Sequence, residues 1–197
     1  AHIDSPRLDL KQDPLYEDTD FAMLDTHYYG GIKKYQWVTL PLALHGVIVK
    51  KDGTVVKVNI GDKPGDPVVG VSDLLIHLSG DQMTKKASEV IGGENLDLLI
   101  GSIPMETEDE SVKEKVKANI MNILTKEYGV EEEDFLSAEI EVVPAGEAKD
   151  YGFDRSMIMG YGHDDRVCAF PSFEAIAVSE NPKTTSVCLL VDKEEIG

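Results

Sequence analysis

Residues 157–195 constrain the fold more than any other part of the chain. Met157-Ile158-Met159 reads as a short apolar strand. A helix is expected from about Arg166, with Val167, Phe170, Phe173 and Ala177 on one face. Residues 184–191 are then a continuous branched and apolar run, the pattern of a central parallel strand buried on both faces. Strand, helix and strand in that order predict an α/β fold built on a parallel sheet. Glu194-Glu195 falls at the carboxyl end of the last strand, where open α/β sheets place their ligands. Pro171 inside the helix predicts a lost hydrogen bond and a kink, unless the helix starts later.

The turn between the first strand and the helix, Gly162-His163-Asp164-Asp165-Arg166-Val167, carries two adjacent carboxylates. One Asp can cap the helix, because its carboxylate accepts orphan amide hydrogens at the positive end of the dipole. The second is left unexplained. Adjacent like charges repel unless a cation lies near them, and a metal ion serves well. The chain opens with His2-Ile3-Asp4-Ser5-Pro6-Arg7-Leu8-Asp9. On an extended segment His2 and Asp4 point the same way. Either His2 binds metal while Asp4 accepts its other ring N–H or adjusts a catalytic base, or the two are a plain His–Asp pair at a strand end. His, Asp and the Glu pair are all ligands suited to zinc or a similar divalent ion.

The middle of the chain is β-rich. Residues 10–35, with Pro14, the acidic stretch 17–20 and Tyr28-Tyr29-Gly30-Gly31, read as a connector with loops. The glycine pair permits a positive φ or a close backbone approach. Residues 36–50 and 54–60 are strands around the hairpin signature Lys51-Asp52-Gly53. Ser111-Val112-Lys113-Glu114 has the form of a capping box. Val112, Val116, Ile120, Ile123 and Leu124 then mark a helical stripe that Gly129 ends. Residues 131–134 are an acidic turn, and 138–143 alternate as a half-buried strand that Pro144 stops. His27 and His45 have no motif around them and read as structural.

With 37 acidic against 19 basic residues the formal charge is −18, which disfavours nucleic acid or an anionic membrane as a partner. No apolar run approaches the ~20 residues of a membrane span. Cys168 and Cys188 lie in apolar runs, where buried thiols are expected over a disulfide, in keeping with a reducing cytoplasm. Ala1 stands directly before one candidate ligand and Gly197 two residues after another, so a piece of a longer protein is expected.

Taken together, His2-Ile3-Asp4-Ser5-Pro6-Arg7-Leu8-Asp9, Gly162-His163-Asp164-Asp165-Arg166-Val167 and Asp192-Lys193-Glu194-Glu195-Ile196-Gly197 resemble the metal and catalytic motifs of the M18 metallo-aminopeptidases, the aminopeptidase I and aspartyl aminopeptidase group. The resemblance implies a two-metal aminopeptidase, with zinc expected and cobalt or manganese as alternatives. His2 would bind one metal, Asp164 would bridge two, and Glu195 would bind beside Glu194, the general base that deprotonates the bridging water and passes its proton to the leaving amine. Asp4, counted with Glu194 and His77 among the catalytic residues, would fix the His2 ring or adjust the catalytic base. Asp165 and Arg166 would shape the turn, and His163, the rival ligand, would point elsewhere. Related two-zinc peptidases have a cis peptide after the bridging Asp, which implies an unusual 164–165 bond. His77 matches a histidine that reaches across a dimer interface to bind the developing oxyanion.

The resemblance also implies that residues 1–13 and 150–197 are portions of a parallel-sheet zinc-peptidase domain, incomplete here. Residues 14–149 would be a β-rich dimerisation domain inserted into it. The remaining ligands, an Asp and a distal His, would lie beyond residue 197, leaving the isolated chain with weak metal binding and no turnover. Peptide substrates and a homo-oligomer built from dimers, dodecamer-like in the family, are the expected partners. Two other readings compete: a non-catalytic fragment acting as an oligomerisation module, and a related two-metal deacylase.

Overall fold

The computed structural model describes residues 1–196, and its chain divides into two compact units. The larger comprises Leu8–Tyr28 and Lys33–Gly146. It is built on a six-stranded sheet from β1 (Arg7–Asp18), β2 (Phe21–Tyr29), β3 (Leu42–Val49), β4 (Val55–Ile60), β5 (Leu98–Gly101) and β6 (Ala138–Pro144), in the order β4-β3-β6-β1-β2-β5. The β3–β4 hairpin turns at Lys51-Asp52-Gly53, with Val49 opposite Val55 and Leu44 opposite Ile60. β6 alternates as its pattern requires and places Ile140 and Val142 in the core opposite Gly46 and Leu44 of β3.

Residues 10–35 do not form the looped connector that Pro14 and the acidic stretch suggest. They contribute most of the β1–β2 hairpin, with Thr19 and Asp20 both at positive φ, the geometry of a two-residue primed turn. Alternating burial of Ala22, Leu24 and Thr26 is the period-2 signal beneath the charges. Pro14 lies past the stretch of β1 that pairs with β6 through Leu8 and Asp9, so no bond in that stretch of the ladder is lost.

Helix α1 (Lys115–Tyr128) places Val116 in the core and ends on Gly129 in the left-handed conformation. The capping box at 111–114 is not formed: the cap is Glu114 without a side-chain hydrogen bond, and the Ser111 amide donates to Asp109 instead. A reciprocal box does form at Glu131 and Asp134, opening the 3₁₀ turn Glu132–Ser137.

The smaller unit comprises Ala1–Arg7, Tyr29–Ile32 and Glu147–Gly197. It holds a two-stranded antiparallel ribbon, β7 (Lys149–Tyr151) with β8 (Met157–Met159), and helix α2 (His163–Ala177). The kink in α2 lies at Asp164 and Asp165, whose dihedrals are non-helical, and not at Pro171. The expected parallel strand at 184–191 is not formed. These residues make one isolated parallel bridge, His2 with Val191, and Val187 and Leu189 are each 69% exposed. A central parallel strand needs neighbours on both edges and cover on both faces, and among the described residues only the segment at His2 pairs with it. The α2 stripe is likewise exposed at Val167, Phe170 and Phe173. Cys168 and Cys188 are free, as expected, but Cys168 is exposed and Cys188 half-buried. Among the described residues no helix is long and apolar enough to cross a membrane.

Candidate metal centre

The N-terminal segment runs beside Val191, with Ile3 N donating to Val191 O at 2.9 Å. This presents His2 and Asp4 on one side of an extended chain. The Asp pair is brought to the same place by Ser5, whose hydroxyl donates to the Asp164 carbonyl. Arg166 assists by donating to Gly162 O at 3.3 Å and to Ser5 Oγ at 3.4 Å. Tyr161 donates from its hydroxyl to Pro6 O at 2.8 Å. The Asp164–Asp165 peptide bond is cis.

His2 Nδ1 lies 2.9 Å from Asp4 O and 3.2 Å from Asp4 Oδ1. Two acceptors at one ring nitrogen assign the proton to Nδ1 and leave the lone pair on Nε2. Nε2 faces Asp164 Oδ1 at 3.3 Å, Glu194 Oε2 at 3.6 Å and Asp165 Oδ2 at 3.9 Å. Ligand atoms of His2, Asp164 and Asp165 all lie within 4.8 Å of one another. The imidazole side chain is 12% exposed, whereas Asp164 is 71% and Glu194 56% exposed, so the cluster has a closed His side and an open carboxylate side.

Carboxylates and the His2 ring shift one another's titration. Burial alone would lower the His2 pKa, but the Asp4 backbone and the charges of Glu194, Asp165 and Asp4 hold it above the ordinary value. Glu195 is raised by burial and then by repulsion from Asp164. Asp165 is held low by the Cys168 thiol and by the His2 amide, which donates to Oδ2 at 3.2 Å. Burial would raise Asp4, but the Tyr29 hydroxyl and the amides of Glu195 and Glu194 hold it well below the usual carboxylate range. Carboxylates crowded around one imidazole lone pair are an arrangement that a proton or a divalent ion relieves.

The structure therefore brings together His2, Asp4, Asp164, Glu194 and Glu195. Asp165 joins them, although its place in the sequence points only to a turn. His163 is exposed and outside the set that could hold a metal. His77 belongs to the larger unit, on an exposed turn between Ile76 and Leu78. His45 is structural, pairing through Nε2 with Asp62 at 2.8 Å. Tyr29 escapes sequence reasoning altogether: its hydroxyl donates to Asp4 Oδ2 at 2.5 Å, and nothing in its neighbourhood marks it except the adjoining glycines.

Comparison with known proteins gives a consistent result. The family model described as Aminopeptidase I zinc metalloprotease (M18) matches residues 1–197. A probable M18 family aminopeptidase 1 of Clostridium acetobutylicum is 68% identical over 197 residues, covering 100% of this chain and 42% of that protein. The crystal structure of aminopeptidase I from Clostridium acetobutylicum superposes with a TM-score of 0.93 at 63% identity, covering 100% of this chain and 43% of that one. An M18 family aminopeptidase from Thermotoga maritima gives a TM-score of 0.92 at 52% identity, covering 100% and 42% respectively. The chain thus spans about two fifths of the length of the relatives it matches.

Proposed function

The chain belongs to the M18 family, the aminopeptidase I zinc metalloproteases, and we propose that its smaller unit supplies part of a two-metal centre that removes N-terminal residues from peptides. The observation that carries this reading is the His2 ring, whose Nε2 faces Asp164 and Glu194 while Asp4 holds Nδ1. The donor set fits zinc, one imidazole nitrogen with carboxylate oxygens. His2 and Glu195 would each bind an ion, and Asp164 would be shared between them. Zinc in such a site lowers the pKa of water to about 7 and polarises a carbonyl.

The remaining chemistry falls to side chains of this chain. Glu194 is exposed, within reach of the cluster, and suited to take a proton from the attacking water and return it to the departing amine. Asp4 keeps the imidazole in the tautomer that frees Nε2. His77 would donate to the developing oxyanion of a partner subunit's substrate. The larger unit would be the inserted dimerisation domain and the smaller one a portion of a parallel-sheet catalytic domain. Exposed Leu74, Leu75, Ile76 and Leu78 around His77 favour a homo-oligomer built from dimers. The free thiols fit the cytoplasm.

Metal analysis and hydrolysis of aminoacyl substrates test the proposal, on a protein that carries this chain together with the remaining length its relatives have. Glu194→Gln is expected to keep its zinc and lose about 10²–10⁴-fold in turnover, while His2→Ala loses zinc. A protein without zinc, or a Glu194→Gln variant with unchanged turnover, refutes it.

A further inference from the structure

We propose that Tyr29 is a positioning residue of this metal centre, its buried hydroxyl locking the one carboxylate that orients both His2 and Glu195. The inference rests on the metal-binding reading of the cluster. Tyr29 is 6% exposed, and its hydroxyl donates to Asp4 Oδ2 at 2.5 Å. The same oxygen accepts the Glu195 amide at 3.1 Å, and Oδ1 faces His2 Nδ1 at 3.2 Å. A carboxylate turns freely about its Cβ–Cγ bond unless both oxygens are engaged. Here Tyr29 and the Glu195 amide fix Oδ2, and that fixes the direction in which Oδ1 meets the imidazole.

The phenol is itself held. The Arg7 guanidinium lies 4.1 Å over its ring and reaches Ser5 O at 3.5 Å. The next residue, Gly30, sits at φ +73, and a methyl built there would come within 3.1 Å of Glu195 Oε2 and 3.2 Å of the Pro6 side chain. Tyr29–Ile32 belongs to the smaller unit although the residues on either side of it belong to the larger. This short segment therefore backs the cluster at two points, through a hydroxyl on Asp4 and through a missing side chain beside Glu195. Packing alone would be met by Phe, so the hydroxyl is the part that requires explanation, and Asp4 is its partner.

Outer-shell partners of metal ligands change metal affinity by about 10–100-fold when removed. Tyr29 acts one residue further out, on Asp4, so about tenfold is expected. The test compares Tyr29→Phe with the unaltered full chain. Zinc affinity is read by competition with a chromogenic chelator, and the His2 tautomer by ¹⁵N shifts of the ring in metal-free protein. The expected result is about tenfold weaker zinc binding and a His2 ring that mixes both tautomers. A merely structural hydroxyl would lower thermal stability and leave both readouts alone, and that result overturns the inference. A second measurement needs no variant: the Tyr29 hydroxyl proton should give a slowly exchanging downfield resonance that moves when zinc is added. A resonance indifferent to zinc overturns the inference even if Tyr29→Phe does not fold. Unaltered protein that takes up no zinc overturns it together with the reading beneath it, whereas equal zinc affinity in both proteins overturns the inference alone.

Discussion

Replacing Asp4 by Asn keeps the side-chain volume, removes one charge and turns one acceptor into a donor. In the native arrangement Oδ2 accepts the Tyr29 hydroxyl at 2.5 Å and the Glu195 amide at 3.1 Å, and Oδ1 faces His2 Nδ1 at 3.2 Å. An Asn amide cannot serve all three. With its oxygen toward Tyr29 and Glu195, its NH₂ meets the Nδ1–H, and the ring must move its proton to Nε2, the nitrogen that faces Asp164. With the amide reversed, the NH₂ opposes two donors. A hydrogen bond to a charged group contributes about 1.5–3 kcal/mol. Relief of the buried charge offsets part of the loss, so we expect a net destabilisation of about 2 kcal/mol, or about 4–8 °C in Tm for a chain of this size. Zinc affinity should fall about 10–100-fold. The pH dependence has a definite sign. The folded Asp4 carboxyl lies below its unfolded value of about 3.9, so its stabilisation is present above that pH and lost as the pH falls toward the folded pKa. Asn does not titrate, and the gap between the two proteins should close on acidification below about pH 4. Chelator competition near neutral pH and thermal melts across the acid range measure both effects. An Asn variant that binds zinc as tightly as the parent, or whose deficit is the same at every pH, would refute the assignment of Asp4.

Gly30→Ala places a methyl 3.1 Å from Glu195 Oε2 at a positive φ, which costs about 1–2 kcal/mol in backbone conformation alone. The variant should melt lower and bind zinc more weakly, while Gly31→Ala, with open space around it, should do neither. Leu98→Ala in β5, where the side chain is fully buried, should lower the unfolding free energy by about 2–5 kcal/mol in denaturant titrations without altering zinc uptake. Asp97 is raised chiefly by burial and further by Asp25, against hydrogen bonds from Tyr16 and Thr26. Its stabilisation is therefore complete below the unfolded carboxyl value and lost as pH rises through the folded one. Between about pH 4 and pH 7 the denaturant midpoint should rise more, or fall less, in Asp97→Asn than in the parent.

Much of the larger unit was legible because its signals are local. The Lys51-Asp52-Gly53 turn, the alternation of 138–143 and the α1 stripe closed by Gly129 each depend on residues a few positions apart. β1 and β2 were not legible, because Pro14 and the acidic residues obscure a period-2 pattern and the turn at Thr19-Asp20 lacks a glycine. The run at 184–191 shows the opposite error: its residues suit a buried strand, but a strand also needs partners, and among the described residues only the bridge at His2 supplies one.

For the candidate metal centre, the donor chemistry is readable from residue types alone: an imidazole two residues from a carboxylate, an Asp pair on a glycine turn and a Glu pair after an apolar run. Side-chain type is intrinsic to the residue, so those donors are identifiable in the sequence. The fold is what turns His2 Nε2 toward Asp164 and Glu194, brings Asp165 to them, and stands Tyr29 and Gly30 behind Asp4 and Glu195. Except for Tyr29 with Asp4, which are 25 positions apart, those relations join residues more than 160 positions apart in the chain to within a few ångströms. Convergence of that kind comes from backbone pairing and packing, which no spacing along one segment encodes.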